Sequence, residues 1–202
     1  MFFIITKNFI EEIFMKKIFL ILVVTLEIMF GIQNFVYAES VKIYDGNIND
    51  IISNLEIDCE NFNTNIYNLE YYTYEGARRC ELNFGNSKNN IVRFRLNSDD
   101  SVERVLISIP NSFVAKDGSS YSYNQAAFIQ GSIEKSIGLS KSETSELGNK
   151  FREAFQNFGR NNSNAHHYHE KFSVWCSKTN RYIVLDVEMD DDKFDWYIYA
   201  YR

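Results

Sequence analysis

Proline is almost absent from this chain, since Pro110 is the single proline among 202 residues. Aromatic residues make up 16% of the sequence and charged residues 24%. Disordered segments are poor in aromatic residues and rich in proline and charge, so this composition excludes a largely disordered chain. We therefore expect a buried core, and the length suits a single folded domain.

Basic residues are in deficit. The chain carries 21 Lys and Arg against 27 Asp and Glu, which gives a formal net charge of −6. Binding to phosphate backbones needs clustered Lys and Arg, and an acidic chain is also repelled by an anionic membrane surface. We expect no nucleic-acid partner, and contact with a membrane only through the N-terminal segment if that segment is not cleaved.

The sequence signatures of several enzyme classes are also missing. Neither GxGxxG nor GxxxxGK[ST] occurs, which excludes the common nucleotide-binding loops. We recognise no GxSxG, S-x-x-K, papain-type or HExxH signature and expect none to operate. The triplet 190–192 lacks the spaced oxygen ligands of a calcium loop and is typical of a hairpin tip. The sequence thus predicts no catalytic residue and no cofactor, and favours a non-enzymatic role.

Cysteine is scarce, and its number is odd: Cys59, Cys80 and Cys176. An odd count leaves at least one thiol without a partner inside the chain. A disulfide between Cys59 and Cys80 would close a loop of about 20 residues and stabilise the fold by roughly 3 kcal/mol. Pairing of Cys80 with Cys176 across the sheet, or three buried thiols, are the alternatives that the sequence leaves open.

No apolar run is long and clean enough for a typical transmembrane helix, which needs about 20 predominantly apolar residues. The apolar stretch 18–26 follows Lys16 and Lys17, is interrupted by Glu27, and precedes a small-x-small site at 36–38. This order is that of a secretory signal peptide.

We therefore predict a signal peptide over residues 1–38, cleaved between Ala38 and Glu39, and a single exported domain over 39–202. Two acids ahead of the lysines do not suit the positive start of a signal peptide, so Met15 is an alternative translation start. The predicted location is secreted or cell-envelope. The alternative is a protein anchored in the membrane by an uncleaved N-terminal helix.

Six segments alternate apolar and polar residues with a period of two, which is typical of half-buried antiparallel strands. Three precede and three follow a helical region: 80–84, 92–96, 105–109, 172–176, 183–187 and 196–201. The aromatic-rich segment 67–74 is predicted to be extended as well.

The helical region shows apolar residues three and four positions apart, at Ala126, Ile129, Ile133 and Ile137. That spacing predicts a helix, which Gly138 ends. Ser140 and Glu143 have the spacing of a capping box and predict the start of a second helix, which Gly159 closes. A short amphipathic helix is predicted over 49–57.

Three strands, a helix pair and three strands indicate an α+β fold. No strand–helix–strand crossover alternates along the chain, so we expect one antiparallel sheet of about five to six strands with helices packed on one face.

The segment 166–169 holds all three histidines, His166, His167 and His169. In an extended backbone His167 and His169 would face one way and His166 the other. Imidazole is a ligand of Zn and Cu, so these residues are the candidate metal ligands, although only two of them share a face easily.

Tyrosines at alternate positions mark the last strand: Tyr197, Tyr199 and Tyr201 share one face, opposite Trp196 and Ile198. If that face is exposed, the row is a candidate surface for a protein or small-molecule partner.

The sequence therefore favours an exported bacterial protein that acts as a non-enzymatic module for binding a protein or a small molecule. The rival hypothesis is a small extracytoplasmic metal-binding protein or enzyme centred on the three histidines. The third is the anchored surface protein already described.

Overall fold

The computed structural model describes residues 41–110, 121–161, 167–190 and 192–201. The predicted signal peptide, its cleavage site at Ala38 and Glu39, and His166 lie outside the described residues. The described ranges belong to one compact unit, Ser40–Arg202.

Three helices are described: α1 (Ile48–Asn61), α2 (Tyr121–Ile137) and α3 (Lys141–Asn161). Helix α1 begins at a capping box, in which the Asn47 side chain accepts a hydrogen bond from the start of the helix and Asp50 accepts one from the Asn47 amide. The helix is longer than the predicted 49–57. Its extra C-terminal turn carries Cys59 into the core, where that side chain is buried.

Seven strands form one antiparallel sheet. They are β1 (Ile66–Tyr74), β2 (Ala77–Phe84), β3 (Ser87–Leu96), β4 (Val102–Pro110), β5 (His167–Cys176), β6 (Arg181–Asp190) and β7 (Lys193–Tyr201). The strand order is β1-β2-β3-β4-β7-β6-β5. The strands before the helix pair, β1 to β4, form one meander and the strands after it, β5 to β7, form another, and the two meet where β4 pairs with β7. The α+β fold is confirmed.

The prediction of five to six strands was wrong, because β1 is a full strand at the edge of the sheet. Most β1 residues are exposed, and the register slips between Tyr67 and Glu70. An edge strand without a buried row lacks the apolar alternation that identifies a strand in sequence.

One face of the sheet packs against the helices, and we call it the helix-side face. Its central members are Leu82, Phe94, Ile107, Ile183 and Ile198, all essentially buried. They form a single core cluster with apolar residues of all three helices. The intervening strand positions point to the opposite side of the sheet, which we call the open face.

The junction between α2 and α3 follows the sequence prediction. Gly138 ends α2 with a φ of 107°, a backbone conformation that favours glycine. The Ser140 amide donates to Glu143 at 2.6 Å, and the Glu143 amide donates to the Ser140 hydroxyl at 3.3 Å, so the capping box is formed. Gly159 does not close α3, which continues to Asn161. A glycine within a helix costs only about 1 kcal/mol, which neighbouring helical residues can outweigh.

Candidate binding face of the sheet

The tyrosines of β7 lie on the open face. Trp196 and Ile198 on the same strand point to the helix side and are buried, as the alternation requires. Tyr197 and Tyr199 are half-buried, whereas Tyr201 is exposed. The three predicted residues are therefore together, but their access to solvent increases toward the C-terminal end of β7.

A cluster of exposed aromatic rings continues this row across two neighbouring strands. Trp175 of β5 meets Tyr182 of β6 edge to face, with ring centroids 4.9 Å apart, and Tyr182 stacks on Tyr201 at 5.1 Å. Their exposed fractions are 42%, 40% and 42%. We call these three residues the aromatic end. The sequence analysis missed Trp175 and Tyr182, although each alternates with buried neighbours in its strand.

A second row on the open face is basic. Arg79 of β2 lies opposite Arg95 of β3, and Arg95 lies opposite Arg104 of β4. We call these three residues the arginine row. Tyr72 pairs with Arg79 at one end, and Tyr199 pairs with Arg104 at the other. Neighbouring strands are about 4.8 Å apart, so the arginine row spans about 10 Å across the sheet.

The three arginines have different partners. Arg95 forms an ion pair with Glu103 at 3.0 Å. The guanidinium of Arg79 lies 4.5 Å from the ring centroid of Tyr74, and that of Arg104 lies 5.3 Å from the ring of Tyr199. Within the described residues, no carboxylate forms an ion pair with Arg79 or Arg104. A cation–π contact does not pair the N–H donors of the guanidinium with an acceptor atom.

Beside the arginine row, a carboxylate is shared among several groups. Asp186 of β6 contacts His169 at 2.7 Å and Lys171 at 2.9 Å, and it accepts a hydrogen bond from Tyr199 at 3.3 Å. Burial alone would raise the pKa of Asp186, but the hydrogen bonds from Lys171 and His169 hold it below its usual range. Asp186 is thus a charged anchor for the side of the face formed by β5.

The structure places two of the predicted metal ligands on one face. His167 pairs with Asp190 and His169 with Glu188, so both histidines of β5 point to the open face. Within the described ranges, no group of three His, Cys, Asp or Glu side chains could hold a metal ion. His169 is engaged by Asp186 instead, and metal binding that includes His166 stays a prediction.

All three cysteines are free thiols and buried in the structure, without the Cys59–Cys80 bridge. Burial raises the pKa of Cys59 and of Cys80 to about 11. The Cys176 thiol contacts the Gly138 carbonyl oxygen at 3.7 Å. Thiols in such surroundings are poor nucleophiles, because the reactive thiolate is suppressed.

On the helix side of the molecule, a groove of about 620 Å³ lies between α2 and α3 near the end of α1. Ser132 and Lys135, which line it, have the S-x-x-K spacing of some serine acyl-transfer enzymes, so the expectation that this signature is absent was wrong. The Ser132 hydroxyl donates to Asp58 at 2.7 Å, and Lys135 pairs with the same carboxylate at 3.2 Å. Both side chains bond to Asp58, and no hydrogen bond within the described residues joins Ser132 to Lys135, so this group lacks the serine–base contact that nucleophilic catalysis needs.

Helix α2 also carries a buried acid. Glu134 is 1% exposed, and the Gln130 amide donates to its carboxylate at 2.7 Å. Burial raises the pKa of Glu134 to about 8, although hydrogen bonds from Gln130 and Thr144 oppose the shift. The side chain therefore holds a proton at neutral pH, and it lies away from the open face.

Comparison with known proteins found no matching family model, no matching curated protein and no matching solved structure. Among the helices of the described ranges, none combines the length and apolar character needed to span a bilayer.

Proposed function

We propose that this chain is an exported, non-enzymatic binding module and that it engages its partner through the open face. The observation that carries this proposal is the aromatic end, where three large rings contact one another and keep about 40% of their surface in contact with solvent. Aromatic side chains are enriched at protein interfaces, because they supply a large apolar area and a polar edge at low entropic cost.

The position of the aromatic end in the sheet supports the same role. Tyr182 and Tyr201 belong to β6 and β7, each of which is paired on both sides, and Val184 beside them is buried. A surface held by paired strands is ordered before the partner arrives, so little conformational entropy is lost on binding.

Site-specific photocrosslinking in the producing bacterium tests the proposal. A photoreactive phenylalanine analogue at Tyr201 or Tyr182 is expected to form discrete adducts, whereas the analogue at Ile57, a 58% exposed residue of α1, is the matched control. Adducts from the open-face positions alone, abolished by Trp175→Ser, support the proposal. Equal adducts from Ile57, or none from either open-face position, would contradict it.

Export is part of the proposal and has its own test. Expression of the full chain in an export-competent bacterium should release a protein whose N-terminus is Glu39 into the culture medium or the cell envelope. An intact N-terminal segment in the membrane fraction would instead support the anchored surface protein.

The metal-binding alternative is favoured by one observation, the common orientation of His167 and His169 on β5. Calorimetric titration of the purified protein with Zn²⁺ measures whether the protein binds the metal and with what affinity. Submicromolar binding that is lost in His167→Gln and in His169→Gln would replace the binding-module proposal with a metal site.

A further inference from the structure

On the premise that the open face binds a partner, as proposed for the function, we infer that the arginine row selects an acidic polypeptide segment. The row presents Arg79, Arg95 and Arg104 side by side on three adjacent strands. Like charges directly opposite one another across strands are unfavourable unless a counter-charge compensates them. An arrangement of this kind becomes favourable when an anion lies across it.

The charges of the row are only partly compensated within the described structure. Glu103 neutralises Arg95, whereas Arg79 and Arg104 have aromatic partners and no described carboxylate in an ion pair. Contacts with Tyr74 and Tyr199 hold the two outer guanidinium groups beside aromatic rings. Their N–H edges can then receive a carboxylate through two parallel hydrogen bonds, which is the strongest geometry for this pair.

The dimensions suit an extended acidic peptide. Carboxylates on alternate residues of an extended segment lie about 7 Å apart, and the flexibility of Glu and Arg side chains covers the remaining distance across the row of about 10 Å. Tyr72 and Tyr199 flank the row at both ends and can pack against the intervening side chains.

The distribution of charge favours an acidic peptide over a nucleic acid as the ligand of the arginine row. The chain has a net charge of −6, and Glu81, Glu103 and Asp186 lie close to the arginine row. A nucleic acid carries charge continuously along its length and would meet these carboxylates. A short acidic segment can place its charges on the arginines alone, and the repulsion elsewhere directs it to the row.

Fluorescence anisotropy with a labelled peptide, acetyl-(Glu-Ala)₄-amide, tests the inference on protein produced from the full chain. We expect saturable binding that weakens with added NaCl, and no binding of the matched (Gln-Ala)₄ peptide. Arg79→Gln and Arg104→Gln should each weaken the affinity roughly tenfold, because a charge-assisted hydrogen bond is lost. Arg152→Gln, which removes the same charge from α3 on the helix side, should change it by less than about twofold.

A charge swap keeps the test independent of folding. The double variant Arg79→Glu and Arg104→Glu should lose the (Glu-Ala)₄ peptide and gain binding of (Lys-Ala)₄, which an unfolded variant would not do. The inference is overturned by equal binding of the Gln peptide, by unchanged affinity in both Gln variants, or by a single-stranded DNA oligonucleotide that competes as well as the acidic peptide. If the acidic peptide does not bind but Tyr182 and Tyr201 give crosslinks, only the acidic preference is refuted. If neither peptide binding nor crosslinks are seen, the open face is refuted as a binding face as well.

Discussion

The guanidinium of Arg104 lies over the ring of Tyr199, 5.3 Å from its centroid, where β4 and β7 join the two meanders of the sheet. This contact connects the arginine row to the tyrosine row of β7. It holds an exposed arginine that forms no ion pair with a carboxylate within the described residues.

The contact between Arg104 and Tyr199 can be measured by a double-mutant cycle. Combining Arg104→Gln with Tyr199→Leu should give a coupling energy of about 0.5–1 kcal/mol in urea unfolding. Tyr199→Phe is the matched control. It keeps the ring and removes only the hydroxyl that lies 3.3 Å from Asp186. The cycle that combines Arg104→Gln with Tyr199→Phe should therefore give a coupling energy near zero. Zero coupling in the Leu cycle would mean that the ring does not orient the arginine.

The two faces of the sheet should respond differently to loss of an aromatic ring. Phe151 is buried and lies 5.7 Å from Phe194 and 5.4 Å from Trp196, measured between ring centroids. Phe151→Ala should lower the free energy of unfolding by about 3–5 kcal/mol. Trp175→Ala should cost at most about 1 kcal/mol, since it removes one edge-to-face contact at a solvated site. Equal losses in denaturant titrations would show that the aromatic end is structural.

The buried carboxyl of Glu134 should make stability fall as pH rises. Its pKa is about 8 in the folded protein and near 4.5 when unfolded. Between these values the folded state holds a proton that the unfolded state has lost. The free energy of unfolding should therefore decrease by up to about 1.4 kcal/mol per pH unit, and then level off above pH 8.

Glu134→Gln removes this titration while retaining the shape of the side chain. The variant should be more stable than the unmodified protein at pH 8 and show a flatter profile between pH 5 and 8, by urea unfolding at each pH. Glu153→Gln, on the exposed surface of α3, controls for the change in net charge. Parallel profiles for the unmodified protein and Glu134→Gln would contradict a neutral Glu134.

The cysteines should react only when the protein unfolds. All three are buried, and the pKa values of Cys59 and Cys80 are raised to about 11. Ellman's reagent should detect almost no thiol in the folded protein at pH 8 and three in guanidinium chloride without reductant. A single thiol after denaturation would demonstrate a disulfide and would restore the pairing of two of these cysteines.

Much of the fold could be predicted from periodicity alone. The central strands have one buried and one solvated face, and the capping box at Ser140 satisfies backbone amides within four residues of sequence. Such local signals are carried by neighbouring residues. Strand β1 was not counted because it is held in place by pairing with β2 and not by a buried row of its own. Gly159 was misassigned as the end of a helix because a helix can continue through a glycine.

The candidate site could be predicted only where its residues lie on a single strand. The alternation of Tyr197, Tyr199 and Tyr201 follows from one strand. The arginine row arises only when three strands adopt a particular register, including a shift between Arg95 and Leu96 where β3 meets β4. Registers between strands depend on long-range packing, which no short segment of sequence contains.

The central claim, that the open face is the binding surface, is tested most directly by NMR titration of the ¹⁵N-labelled protein with the (Glu-Ala)₄ peptide. We predict that chemical-shift changes concentrate at the arginine row and extend to Tyr199, while residues of the helix-side groove such as Phe128 and Lys135 stay unchanged. Changes centred on that groove would contradict the claim, whereas no change at millimolar peptide would contradict only the acidic preference of the open face.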